Sequence, residues 1–352
     1  MNTKRELQRT DAGATESTAL PYPYLLFLGD TTEPGFAKTA FGLRDWAPER
    51  CIGEWSCGGA TVTTGLQRLS PKEAKARGAR ALLIGVANTG GVINDSWMPV
   101  LLDALEAGLD IVSGMHTKLN DTPQLKAAAE RRGRTLFDVR TPPRPIPVGT
   151  GRKRSGKRLL TVGTDCALGK KYTALALTRA FAARGLAADF RATGQTGIMI
   201  SGAGIPMDAV VADFAAGAAE MLSPDAPEQH WDVIEGQGSL FHPGYAGVSL
   251  SLLHGSQPDV IVVCHQPGRE RILGTPGYEL PGLDETIALN LRLGRRTNAA
   301  IRCAGVSFDT SRLEPSAANE LMEQESVRLG LPVADPIRGG EAFQRLVDAC
   351  LV

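Results

Sequence analysis

The sequence predicts an α/β fold in which two mostly parallel sheets follow one another along the chain, and three observations carry this. Short apolar runs alternate with amphipathic stretches, the pattern of strands separated by crossover helices. The alternation breaks once, in TPPRPIPVGTGRKRSGKR at 141–158, where four prolines and a basic cluster can neither bury apolar surface nor continue a helix. Glycine is abundant, 40 residues, while aromatics are 5%, a balance that suits tight strand-to-helix turns better than an aromatic-rich sandwich. At 352 residues the chain is long enough for two cores of about 150 residues each.

Taken in order, residues 1–20 are polar, lack the apolar core of a signal peptide and read as a disordered tail. The first domain, 21–140, shows strand-like runs at 24–29, 81–87, 109–114 and 135–139. Between them, Ser70-Pro71-Lys72-Glu73 has the form of a capping box, and Thr122-Pro123 repeats a cap-then-proline helix start. Strands separated by helices need crossovers, so the sheet should be parallel. The segment 141–158 is the expected linker, with Arg152, Lys153, Arg154, Lys157 and Arg158 as a solvated basic tether. The second domain, 159–352, restarts with strands at 158–163, 188–194, 231–236, 259–265 and 301–308, and helices near 169–184, 208–222, 284–293 and 315–329.

Thirty-eight basic and 38 acidic side chains cancel, so no global field is available for nucleic acid or an anionic membrane surface. No run approaches the roughly 18 apolar residues of a membrane span, and a cytoplasmic protein is expected. Homo-oligomerisation is left open. The six cysteines show no CxxC or metal-ligand spacing, which argues against a disulfide framework, and no metal ligands are assigned. Five histidines share no HxH or HExxH spacing, so each taken alone reads as structural.

The sharpest local signal is LLTVGTDCALGKKYTALALTRAF. A strand ends at Gly163, small residues follow, and Gly169-Lys170 opens an apolar-periodic helix. Phosphate needs such a turn: inward backbone amides, the positive end of a helix and an ammonium, reachable only past small side chains. A phosphate-bearing cofactor is therefore expected along Gly163, Thr164, Asp165, Cys166, Gly169, Lys170, Lys171, Tyr172 and Thr173. Against GxxxxGK[ST], Thr164 replaces the first glycine and Lys171 replaces the hydroxyl residue that ordinarily binds Mg²⁺. Thr173 lies about 200° further round the helix and is no simple substitute. Such a loop suits anchoring a diphosphate better than cleaving one, although a Mg²⁺ requirement stays open. The spacing GTDxxxGK resembles that of dethiobiotin synthetase and related P-loop amidoligases.

Further along, WDVIEG sets Glu235 at a strand end, the place of an acidic Walker B residue. The loop 191–197 leaves the neighbouring strand and should face the phosphate loop, because ligands gather at the carboxyl ends of parallel strands. Arg191 there either binds a carboxylate or phosphate or lies in solvent, and Gln195 is a second candidate contact. Asn88 and His116, in Gly-rich turns of the first domain, would approach from the other side of an interdomain substrate site.

YLLFLGD, GVANTGG, SGMH, GKRLLTVGTDCALGKKYTALAL, FRATGQTGI, HWDVIEGQGSLFHPG and LLHGSQPD together resemble the DUF1611 family over nearly the whole chain from about Pro23. The resemblance implies an N-terminal Rossmann-like domain, a C-terminal P-loop domain, and acetyl transfer from acetyl-CoA to the amine of D-glutamate in D-amino-acid catabolism. CoA carries a diphosphate that a P-loop can hold without hydrolysis. Acyl transfer to an ammonium needs a base and oxyanion donors. Glu235, His116 and His242 are the candidate bases, in no order that the residues settle. An ATP-dependent ligase or kinase resembling dethiobiotin synthetase, and a nucleotide-sensing protein without catalysis, are the alternatives.

Overall fold

The computed structural model describes residues 20–352, so the expected tail lies, but for the buried Leu20, outside the described residues. Two sheets form, and every strand pair in them is parallel. The first has strands β1 (Tyr24–Phe27), β2 (Cys51–Trp55), β3 (Ala81–Ile84), β4 (Asp110–Ser113) and β5 (Leu136–Asp138) in the order β2-β1-β3-β4-β5. Its helices are α1 (Lys38–Trp46), α2 (Pro71–Ala76), α3 (Met98–Glu106) and α4 (Pro123–Arg132). This is a doubly wound, Rossmann-like order, and YLLF and ALLI are apolar throughout because helices cover both faces of the sheet.

The second sheet runs β11-β10-β9-β6-β8-β7 and holds six strands. They are β6 (Lys157–Gly163), β7 (Ala188–Arg191), β8 (Trp231–Ile234), β9 (Val260–His265), β10 (Arg302–Phe308) and β11 (Val333–Ala334). Around them lie α5 (Lys170–Ala183), α6 (Gln195–Ser201), α7 (Ala212–Leu222), α8 (Ala246–Ser256), α9 (Leu283–Gly294), α10 (Pro315–Leu329) and α11 (Gly340–Leu351). The first strand in sequence, β6, is central, with β8 on one side and β9 on the other. Chain direction across the sheet reverses there, which opens a crevice at its carboxyl end.

Strands and helices differ from expectation where tertiary context overrides pattern. Strand β2 is an edge strand whose CIGEW carries a glycine and a buried glutamate; Glu54 is satisfied by the Thr63 hydroxyl at 2.5 Å and the Thr64 amide at 2.7 Å. Helices α6, α8 and α11 and the two-residue β11 also lie outside the expected set. Strand β1 stops before Gly29, whose φ of +58° and contact with the Trp97 indole leave no room for a Cβ. Ser70 and Glu73 form the expected reciprocal box, at 3.3 and 2.8 Å. Thr122 does not cap α4: its hydroxyl donates back to the Lys118 carbonyl at 3.1 Å.

The basic tether is solvated at Arg152, Lys153 and Lys157 but not at Arg154 and Arg158, which corrects the expectation at those two positions. Arg154 and Arg158 are buried, and their guanidinium forks donate to backbone carbonyls, among them Ser223 (2.7 Å) and Gly255 (2.8 Å) from Arg154, and Ser155 and Pro224 (both 2.9 Å) from Arg158. Five donors in a fixed plane can satisfy a turn rich in unpaired carbonyls. Arg152 pairs with Asp225, Lys153 with Asp259, and Lys157 already belongs to β6.

One apolar cluster spans the two domains, joining Leu28, Ala37 and Leu43 to Leu175, Ile198 and Met199. Each such side chain contributes about 1.5–3 kcal/mol on burial. Polar contacts fix the register: Thr39 Oγ1 lies 2.9 Å from Thr196 Oγ1, the Trp46 and Tyr172 rings stack at 5.9 Å, and Arg140 pairs with Asp208. Among the described residues no helix is long and apolar enough to cross a membrane.

Candidate functional site

From the end of β6 the chain turns through 164–169 into α5. Gly169 takes φ +88° at the helix start, and Ala167 takes φ +53°, a conformation that a residue with a Cβ seldom adopts and that marks local strain. The turn is braced from outside. Asp165, fully buried, accepts from Arg269 at 3.1 Å and from the Leu273 amide at 2.8 Å, while Arg269 also donates to the carbonyls of Cys166 (2.8 Å) and Ala167 (3.3 Å). Thr164 Oγ1 meets His265 Nδ1 at 3.0 Å, and the Thr164 carbonyl accepts from Ser239. Lys170 is buried, donates to the Asp165 carbonyl at 2.6 Å, and has its pKa lowered by burial. Its stem passes over Gly236, where an added Cβ would also strike the Thr161 carbonyl, so only glycine fits.

At the end of β8, Glu235 is buried and one of its oxygens, Oε2, accepts from the amides of Thr193 and Gly194, each at 3.0 Å. Gly197 lets α6 close on this oxygen, since a Cβ there would lie 2.3 Å from it. The other oxygen, Oε1, makes no hydrogen bond among the described residues. Burial raises the pKa of Glu235, and Lys171 and the two amides oppose that rise. Lys171, in the place of the missing hydroxyl, is half-buried, with its ammonium 4.4 Å from the Tyr172 ring centre and its pKa lowered to about 8 by burial.

Lys170, Lys171 and Glu235 line one cavity of about 720 Å³, a size suited to a small organic ligand, whereas Gly163, Thr164 and Asp165 do not line it. Its lining includes Lys171, Tyr172, Glu235 and Lys38, the last contributed by the first domain, together with Phe308 at the end of β10 and Pro336, Ile337 and Arg338 beyond β11. Cys166, Gly169, Lys170 and Thr173 lie along its wall. Thr173 is turned to Ser307 (2.8 Å), and the Cys166 thiol is pushed up by burial.

Other expected residues fall elsewhere and do not line this cavity. Arg191 is held on its own sheet by Asp232 (2.7 Å) and Asp189 (3.1 Å). Gln195 opens α6 and packs on Gly114 at the domain interface. Asn88 closes its own turn, bonding the Val92 amide at 3.0 Å and carbonyl at 2.9 Å. His116 is exposed beside Arg140, which lowers its pKa. His242 is buried against Tyr245, and its Nδ1 accepts the Gly244 amide at 3.0 Å. A neutral ring so held carries its proton on Nε2 and acts there as a donor.

Asp165, Cys166 and His242 bring one ligand atom each within 4.8 Å of one another, although no metal ligands were expected from the sequence. The Arg269 guanidinium on Asp165 opposes a dication at that point. Sequence reasoning missed Lys38, which sits in an unremarkable helix start, and the loop beyond β11, whose two-residue strand carries too little pattern to read.

Two family models match the chain: a Rossmann-like domain of unknown function, DUF1611_N, over 52–142, and a P-loop domain of unknown function, DUF1611_C, over 147–347. A D-glutamate N-acetyltransferase of Tritonibacter scottomollicae is 50% identical over 327 residues, 93% of this chain and 98% of that protein. One from a Pseudoalteromonas species is 48% identical over 318 residues, 90% and 96% of the two chains. A crystal structure of a DUF1611 family protein from Anabaena variabilis superposes with a TM-score of 0.83 at 34% identity, covering 93% of this chain and 99% of that one.

Proposed function

The chain belongs to the DUF1611 family, and from that membership we propose that it is an N-acetyltransferase that moves an acetyl group from acetyl-CoA to the amine of D-glutamate. The observation that carries the reading is a single cavity with a phosphate loop on its wall and a half-tethered carboxylate, Glu235, facing it. Lys170 and the start of α5 hold the CoA diphosphate, and the thioester arm runs along the cavity toward Glu235. Two backbone amides fix Glu235 Oε2 and leave Oε1 to take a proton from the acceptor ammonium. The freed amine attacks the thioester carbonyl, the C–N bond forms, the C–S bond breaks, and the CoA thiolate leaves and takes up a proton.

An ammonium at position 171 is no ligand for Mg²⁺, which weighs against nucleotide cleavage at this loop. We place the reaction in the cytoplasm, in D-amino-acid catabolism. Incubation with acetyl-CoA and a panel of D- and L-amino acids, with ATP and Mg²⁺ in parallel, tests the reading by product mass. N-acetyl-D-glutamate and free CoA in equal amounts, without nucleotide, are expected; an adduct that requires ATP contradicts it.

A further inference from the structure

The cavity's charged groups divide into those already engaged and those with nothing to bind. Lys170 already gives one of its three donors to the Asp165 carbonyl, and Arg338 donates to the Thr310 hydroxyl and the Leu313 carbonyl, both at 2.6 Å. Asp309 accepts from Gln266 and the Ser311 amide, and Asp335 from Thr310 and the Ile337 amide. Lys38 and Lys171 make no hydrogen bond or ion pair among the described residues, although both line the cavity. They come from opposite domains and are close enough for Lys38 to depress the pKa of Lys171.

Their placement is fixed by packing. The Thr39 hydroxyl, next to Lys38, meets Thr196 at 2.9 Å, and Gly42 one turn on lies against Thr196 and Tyr172. The Tyr172 ring that carries the Lys171 ammonium on one side stacks against Trp46 of α1. Two ammoniums, Lys171 partly buried on the Tyr172 ring and Lys38 exposed, thus line the same interdomain cavity as Glu235, whose Oε1 is free.

We propose that Lys38 and Lys171 form a carboxylate-binding pair which, with Glu235, makes the cleft the charge complement of an amino dicarboxylate and sets a preference for acidic over neutral acceptors. An amino dicarboxylate at neutral pH carries two carboxylates and one ammonium, the inverse of the three groups on the wall. Each lysine takes one carboxylate and Glu235 takes the ammonium from which it removes a proton. Burial has already weakened the hold of Lys171 on its proton, and a bound carboxylate restores it. The inference rests on the acetyl-transfer reading and adds which side chains read the acceptor's two carboxylates.

The test is steady-state kinetics of wild type, Lys38→Met, Lys171→Met and Lys171→Arg with D-glutamate, its neutral amide D-glutamine, and acetyl-CoA. Each Met variant should raise the KM for D-glutamate by about tenfold or more, the loss of one charged hydrogen bond. D-glutamine should suffer less, so the ratio of the two specificity constants collapses, while the KM for acetyl-CoA stays within about twofold. Lys171→Arg should keep the preference for D-glutamate. An equal fall for both acceptors, or a loss confined to acetyl-CoA, overturns the pair while leaving acetyl transfer intact. A wild type that acetylates no amino acid overturns the acetyl-transfer reading and the pair together.

Discussion

The phosphate loop and the interdomain face of the cavity differ in how their charges are spent. At the phosphate loop Asp165, Arg269 and Lys170 satisfy one another and the loop carbonyls, so the turn is built before any ligand arrives. At the interdomain face Lys38, Lys171 and Glu235 Oε1 make no hydrogen bond or ion pair among the described residues. Prior satisfaction suits an anchor that must keep one shape, whereas uncommitted charge suits a surface that reads its ligand.

The comparison breaks most visibly at Glu235. Glu235→Gln preserves shape and removes the proposed base, so kcat should fall by about 10²–10⁴-fold. Initial-rate kinetics with D-glutamate check this, and a loss below about tenfold would move the base elsewhere. Next comes the brace. Arg269→Ala strands a buried Asp165 carboxylate and should destabilise the fold by about 3 kcal/mol, measured by denaturant unfolding. No change in stability would mean that the loop is not preordered by this pair.

The smallest effect concerns pH. His265, bonded to Thr164 at the loop start, has its pKa lowered to about 4, chiefly by burial. In the unfolded chain the ring binds a proton below about 6.5, while in the native state it stays neutral until about 4. The unfolded state therefore gains protons first, and stability falls as pH drops through that window. His265→Gln should flatten this slope, by on the order of 1 kcal/mol once partial exposure to water is allowed for. Unfolding curves between pH 7 and pH 4 read it, and an unchanged slope removes His265 from the account.

The same contrast explains what the sequence made legible. The phosphate loop is local: a strand, small residues and a Gly-Lys helix start lie within a few positions, and the acid at the end of β8 is equally local. Both were readable. Lys38 became a site residue only because α1 docks on α6, a contact between residues more than 150 positions apart, and no nearby pattern marks it. His242, Asn88 and Arg191 carried polar chemistry in suggestive turns, yet short-range partners absorb them: Gly244, Val92 and Asp189. Arg154 and Arg158 misled because a basic run reads as solvated unless the carbonyls that receive it, from residues 65 to 102 positions away, are known.

Cofactor anchoring at the phosphate loop and proton removal at Glu235 should therefore be separable by mutation. Calorimetric titration of CoA into Glu235→Gln and Lys170→Ala, beside wild type, tests it most directly. The account predicts wild-type affinity for Glu235→Gln and a Kd raised by about tenfold or more for Lys170→Ala, the loss of a charged contact at the helix start. Equal weakening in both variants, or none in Lys170→Ala, would contradict it.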